Sequence, residues 1–356
     1  MLIFTHYTHA LITLSKINIH NQLTIQLPSP LQPFTFVPNT TQSANESVQV
    51  LTQSPKLWVK RDDLIHPIIS GNKWRKLSQT FTQLPTLPLR IVSFGGGYSN
   101  HLHALAYTCH TLNIPFHAIV RGNYTANLTP CLHDIIKWRG ECIWSTKVDY
   151  KRRDAPDFLH KLQQQYPDAL IIPEGGASQM ALNGVAESVG ELSQLNHLSQ
   201  LKHERNLIVT PVATAATLAG LIHGVTRQQR IGQLTNTDIL GIAVLKTHPN
   251  EVKDYLENAT EQLLTSTLSS SAAPISSNIK PLHWWINHDF HMGGYAKSSK
   301  ELAHFCTTFS DNNFIIEPVY SGKTFFAVQD LLKNQQLDHY DNIIIYHTGG
   351  LQGMRD

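Results

Sequence analysis

The chain has 356 residues, of which 41% are hydrophobic and only 15% charged, and it carries a formal net charge of +2 at pH 7. That length buries a sizeable core in one two-lobed unit or two domains, and so even a charge balance argues against a nucleic-acid binder driven by bulk charge. The four cysteines, Cys109, Cys131, Cys142 and Cys306, form no CxxC pair, which points to reduced thiols and a cytoplasmic protein.

The opening MLIFTHYTHALITLSK has no basic start and no small-residue cleavage site, so it reads as mature chain rather than a signal peptide. No run of about 18 apolar residues occurs, and no membrane association is expected. Residues 38–56 are polar and turn-rich, a loop. KLWVKRDD predicts a short strand entering a loop, and SGNKWRKLSQTFTQL a helix with Ser70 as its N-cap. LRIVSFGGGYSNHLHALAYTCHTL reads as a buried strand, a glycine turn and a helix. PFHAIVRG is a strand, CLHDIIKWRG a helix closed by Gly140, ECIWST a strand and APDFLHKLQQQYP a helix. ALIIPEGGASQMALNGVAESVGEL and NLIVTPVATAATLAGLIHGV repeat the strand, turn and helix pattern, and DILGIAVL adds a strand. The Ser/Ala-rich residues 263–280 predict a mobile loop, and NIIIYHTGGLQGM closes with a strand and a glycine turn.

Short apolar strands alternating with helices predict an α/β fold of open, twisted parallel sheets flanked by helices, with right-handed crossovers. Such sheets bind ligands in the crevice beyond the carboxyl ends of their strands. That edge here carries Gly95-Gly96-Gly97, Glu174-Gly175-Gly176, Thr214 to Thr217 and Thr348-Gly349-Gly350, company that favours a small anionic ligand.

Several chemistries drop out. No GxGxxG follows a strand with an acid about 20 residues on, and GxxxxGK[ST] is absent, which excludes the usual dinucleotide and P-loop sites. The G-x-S-x-G elbow of a serine hydrolase is missing. The twenty histidines are scattered, and the closest pair, His101 and His103, lacks metal-site spacing to other ligands, so no metal is expected. What remains is ISGNKWRKL, where Lys73, Arg75 and Lys76 crowd beside a tryptophan. They could be a solvated helix face, a phosphate grip, or one reactive lysine with company. A lysine amine is protonated and inert at neutral pH unless burial or nearby cations depress its pKa. A lysine so activated, together with strand-to-helix turns that offer N–H groups to a phosphate, is what pyridoxal 5′-phosphate chemistry requires.

SGNKWRKL, SFGGGYSNHLHALA, GGYAK and EPVYSGK, ending in HTGG, together resemble the 1-aminocyclopropane-1-carboxylate deaminase and D-cysteine desulfhydrase family, from about residue 57 to the end. Those are tryptophan-synthase-β-like, fold type II pyridoxal-phosphate enzymes. The resemblance implies a two-lobed molecule, with residues 1–84 and 181–356 forming a large cofactor-binding domain and residues 85–180 a small domain that closes over substrate. It implies that Lys73 forms the Schiff base; Arg75 and Lys76 beside it read as solvated helix residues. Asn100 would bond the pyridoxal 3′-oxygen. Ser99, with the backbone of Asn100 and His101, would bind the substrate carboxylate. Tyr295 and Tyr320 would flank cofactor and substrate, although a buried tyrosine is commonly just core. The loop Ala213, Thr214, Ala215, Ala216 and Thr217 would hold the phosphate, and Thr348 would lie beside the cofactor. A homodimer and a small amino-acid substrate are implied in the same way.

Two positions depart from the pattern. Ser321 stands where the deaminase branch has a glutamate facing the pyridine nitrogen. A hydroxyl there is expected to leave the ring largely neutral, a weaker electron sink suited to β-elimination. Ala213 and Ala215 stand where glycines are expected, and an alanine resists positive φ and close backbone approach. The implied activity is therefore a lyase-type β-elimination of D-cysteine to pyruvate, ammonia and sulfide. Its alternatives are the cyclopropane deaminase, which carries a hydrolase label, a D-serine dehydratase or racemase, and a degenerate binding protein with a weakened phosphate loop.

Overall fold

The computed structural model describes residues 19–36, 54–84, 86–194, 201, 204–247, 255–268 and 281–355. The reading of the first sixteen residues lies outside them, as does most of the 38–56 loop. In chain order, the short helix α1 (Ile19–Gln22) precedes β1 (Leu31–Pro33) and β2 (Lys56–Lys60). A 3-10 turn at Asp62–Leu64 leads to α2 (Asn72–Gln83). Then follow β3 (Arg90–Gly96), α3 (Asn100–Thr111), β4 (Phe116–Arg121), α4 (Pro130–Lys137), β5 (Glu141–Ser145), α5 (Lys147–Tyr150), α6 (Pro156–Gln165), β6 (Ala169–Ile172) and α7 (Gln179–Gln194). The remainder is β7 (Asn206–Val212), α8 (Ala216–Arg230), β8 (Thr237–Ala243), α9 (Tyr255–Leu268), β9 (Trp284–Asn287), α10 (Lys300–Asn312), α11 (Ser321–Lys333) and β10 (Asn342–Tyr346).

The strands form two sheets, in the orders β1-β2-β10-β7-β8-β9 and β5-β4-β3-β6. Only β1 runs antiparallel to its neighbour. A parallel strand covered on both faces needs apolar residues on both. Accordingly, Ile343 and Ile345 of β10 join one core with Leu207, Val209 and Phe325, while Ile344 and Tyr346 join another with Ile208, Val189 and Leu221. In the smaller sheet, Ile91 and Val120 pack with Leu105 and Leu132, and Val92, Phe94 and Ile119 pack with Leu162.

Helix α2 follows a strand of the larger sheet, yet its Trp74 and Leu77 belong to a core of the smaller one. On its other side it meets α7. A Cβ at Gly184 would lie 2.0 Å from Arg75 O, so only glycine lets the two helices approach this closely. Helix α2 therefore spans the boundary between the sheets.

Three local expectations are corrected. Ser70 does not cap α2; Gly71 does, with φ 64 and no side-chain bond. Helix α4 ends at Lys137, and Arg139 takes the left-handed position (φ 63) before Gly140, whose N–H reaches Ile135 O at 2.9 Å. Residues 263–268 lie inside α9 rather than in a loop, and 269–280 fall outside the described residues. No helix among the described residues is long and apolar enough to cross a membrane.

Candidate active site

The first turn of α2 lies where the carboxyl edges of both sheets meet. Gly71 makes this possible, since a Cβ there would sit 1.9 Å from Thr348 O, just past β10. The Asn72 N–H donates to that same carbonyl at 3.2 Å, and Asn72 Nδ2 donates to Thr217 Oγ1 at 3.0 Å, in the first turn of α8. Lys73 comes next. One turn on, Lys76 Nζ donates to Gly175 O (3.3 Å), past β6 of the smaller sheet, and to Thr214 Oγ1 (3.4 Å), past β7 of the larger.

Both lysines are electrostatically unusual. Loss of hydration pushes the Lys73 amine down to about 8, against the Glu317 charge that pulls it up. Burial, then the neighbouring Lys73 charge, holds Lys76 well below the ordinary lysine value. Among the described residues no carboxylate forms an ion pair with either amine. Two neighbouring amines whose protonated forms have no ion-pair partner among the described residues favour an anion, which would supply the missing negative charge.

Sequence reasoning placed Arg75 and Lys76 on a solvated face, and the structure overturns that. Arg75 is 2% exposed and Lys76 3%. Arg75 NH2 donates to Asp62 Oδ1 (2.8 Å) and Glu191 Oε2 (2.8 Å), and NH1 to Glu191 Oε1 (2.6 Å). Burial would lower its pKa, but the two carboxylates outweigh burial and raise it. Lys60 and Ser29 complete the cluster through Lys60 Nζ on Glu191 and Ser29 Oγ on Asp62. The partners are far apart in sequence, so no local pattern could have shown them. Lys76 left one trace: it sits three residues after Lys73, on the same helix face.

Ser99 caps α3 through its Oγ, which accepts the Leu102 N–H at 3.2 Å. The first N–H groups of a helix have no partner within it and favour a negative charge. Asn100 is buried, and its Oδ1 finds no partner among the described residues. A Cβ at Gly350 would come within 3.1 Å of Asn100 Nδ2, and 3.8 Å of the Tyr320 ring. The His101 side chain turns away to Ser93 Oγ at 2.8 Å, leaving only its backbone for a ligand. Burial, then Lys73 and Lys76, drives its pKa to about 3, so it is neutral.

Tyr295 and Tyr320 share a hydrogen bond of 2.9 Å. Tyr295 is half-exposed and Tyr320 partly buried; loss of hydration around the hydroxyls raises both phenol pKa values, so both keep their protons. Lys323 is fully buried and donates to the carbonyls of Val244 (3.4 Å), His291 (2.9 Å) and Gly294 (2.9 Å), which pins the segment carrying Tyr295. Ser321 is bonded to Glu317, a buried carboxylate that the sequence did not single out.

The loop before α8 also departs from expectation. Ala215 takes the left-handed conformation (φ 57, ψ −23) that an alanine was expected to resist. The Ala216 N–H turns back to Thr214 O at 2.7 Å. Ala215 is itself buried, 2% exposed. Left-handed backbone costs an alanine about 1–2 kcal/mol, whereas glycine adds about 0.4–1 kcal/mol of unfolded-state entropy. Ala215→Gly is therefore expected to raise the midpoint of thermal unfolding slightly. A lower midpoint would show that the turn is unstrained.

A lysine of lowered pKa, a second buried amine beside it with no ion pair among the described residues, an orphaned amide oxygen and the N-termini of α3 and α8 fit a phosphate-bearing aldehyde. The sequence matches the family described as "Pyridoxal-phosphate dependent enzyme" over residues 42–349. The chain belongs to this family. It is a pyridoxal-phosphate-dependent lyase, so the binding-protein reading is set aside, and the hydrolase label is withdrawn because the activities in its relatives' names are eliminations.

Among its relatives is the mitochondrial bifunctional D-cysteine desulfhydrase/1-aminocyclopropane-1-carboxylate deaminase of Arabidopsis thaliana. It is 26% identical over 352 residues, covering 92% of this chain and 80% of the relative. The D-cysteine desulfhydrase of Serratia proteamaculans is 24% identical over 306 residues, covering 83% and 86%. Among solved structures, an ACC deaminase homologue superposes with a TM-score of 0.71 at 22% identity, covering 94% of this chain and 95% of that one. The family expected from the motifs is thus the family found, and the fold is that of fold type II enzymes.

Proposed function

We propose that this enzyme carries out β-elimination on a small amino acid, with D-cysteine the first candidate and pyruvate, ammonia and sulfide the products. The observation that carries the reading is Lys73, a lysine of pKa about 8 set beside the unpaired Lys76 where the two sheets meet. Pyridoxal phosphate, when bound, supplies a ring that delocalises the electron pair left at the substrate Cα.

The chain's own residues supply the rest. Lys73 Nζ would hold the cofactor, and its amine, when free, would take the substrate Cα proton. Lys76 Nζ, Thr214, Thr217 and the loop from Ala213 to Ala216 hold the phosphate, with Thr348 alongside. By resemblance, Asn100 would bond the ring hydroxyl and Ser321 would lie toward the ring nitrogen. Ser99 and the N–H groups of Asn100 and His101 take the substrate carboxylate. Tyr295 or Tyr320, kept protonated, gives a proton to the departing thiolate. Residues 85–180 act as a small lobe that closes over substrate and excludes water, against a large lobe of 1–84 and 181–356. We place the enzyme in the cytoplasm, in keeping with its free cysteines, and take it as a homodimer by resemblance.

A second reading, ring opening of 1-aminocyclopropane-1-carboxylate, is favoured by the Arabidopsis relative, which bears both names. Product analysis with each substrate separates them. Pyruvate and sulfide from D-cysteine are expected, 2-oxobutyrate would establish the second activity, and no turnover of either would reject both.

A further inference from the structure

Ser321 opens α11 and is 1% exposed. Its hydroxyl has one proton and two lone pairs. Both acceptors for the proton belong to Glu317: Oε1 at 3.0 Å and the carbonyl at 3.3 Å. One lone pair accepts the Glu317 N–H at 2.9 Å. A single lone pair is therefore left to face the crevice.

Glu317 cannot swing away. Its Oε1 accepts the N–H groups of Tyr320 (2.9 Å) and Ser321 (2.7 Å), and its Oε2 those of Val319 (2.7 Å) and Tyr320 (3.1 Å). The carboxylate thus caps α11 from inside the protein. Lys73 from α2, Lys323, Tyr320 and Tyr295 face it, as does Cys306 from α10. The two cations favour its charge. Burial pushes its pKa up to about 7, and the bonds from Ser321, Val319 and Tyr320 hold it from rising further.

We infer that Glu317 acts through Ser321 on the cofactor: the carboxylate fixes the Ser321 proton, so that Ser321 Oγ can only accept, and the ring nitrogen facing it must carry its own proton. This rests on the placement of Ser321 under Proposed function. A serine with a free proton would donate to a neutral nitrogen, which is what the sequence implied. Here the pair Ser321 and Glu317 does the work of the missing glutamate, one bond removed. Glu317 is then a positioning residue for the strength of the electron sink, and Ser321 no longer argues against cyclopropane ring opening.

The test, made at a pH well above 7 where Glu317 is ionised, is the nitrogen chemical shift of ring-15N-labelled pyridoxal phosphate bound to the whole protein, with loading at Lys73 followed separately by visible absorption. The parent is expected at the position of a protonated ring. Ser321→Ala removes the acceptor and should move the signal to the unprotonated position. Glu317→Gln removes the charge and should move it in the same direction. An unprotonated signal in the parent overturns the inference while leaving the proposed function standing, as does a signal that neither variant moves. If Glu317→Gln fails to fold, Ser321→Ala alone decides, since it keeps the carboxylate cap. Absence of loading at Lys73 overturns the proposed function and this inference together.

Discussion

Lys73→Ala is expected to abolish covalent capture of pyridoxal phosphate and to lower turnover by at least about 10²–10⁴-fold, the worth of a positioned proton-transfer group alone. The true loss should be larger, because the same amine both captures the cofactor and moves the proton. The fold should survive. Among the described residues the Lys73 side chain bonds to its neighbour Asn72, and loss of hydration depresses its pKa, so the charged form is no asset to the folded state. Absorbance, turnover and a thermal melt on one preparation check all three parts. Retained turnover in a folded variant would remove Lys73 from the mechanism.

The second large effect falls on stability. Arg75→Leu keeps the volume on α2 but leaves the buried Asp62 and the partly buried Glu191 with less compensating charge. Breaking one partner of a buried ion pair costs about 3–5 kcal/mol, a large share of the roughly 5–15 kcal/mol that holds a folded protein together. The variant should unfold at clearly lower denaturant concentration. Since Arg75 lies on the helix of Lys73 and Lys76, slower cofactor capture should accompany the loss. A denaturation midpoint equal to the parent's would show that Lys60 alone balances the two carboxylates.

The strands and their glycine turns were legible because each is a contiguous run of apolar residues ended by residues that turn. Lys73 was legible because SGNKWRKL, GGGYSN and PVYSGK occur in that order. Arg75 was not, because its partners Asp62 and Glu191 lie 13 and 116 residues away and meet only when α2 packs against α7. Ser70 looked like a cap from its side chain, but the close approach of Thr348 demanded glycine at the next position. Ala215 was misjudged because an intrinsic backbone preference of a kcal/mol or so yields to the packing of a turn between two buried elements. Glu317 gave no local sign at all; its importance comes from burial and from the backbone turn that wraps its carboxylate.

The claim that one lysine in this crevice is the reactive group is tested most directly by reductive trapping. The protein, loaded with pyridoxal phosphate, is treated with borohydride and digested, and the modified peptide is mapped. The account predicts a single modified residue, Lys73, together with loss of the visible band, and no modification at this site in Lys73→Ala. Modification at Lys76 instead, at scattered surface lysines only, or nowhere would contradict it.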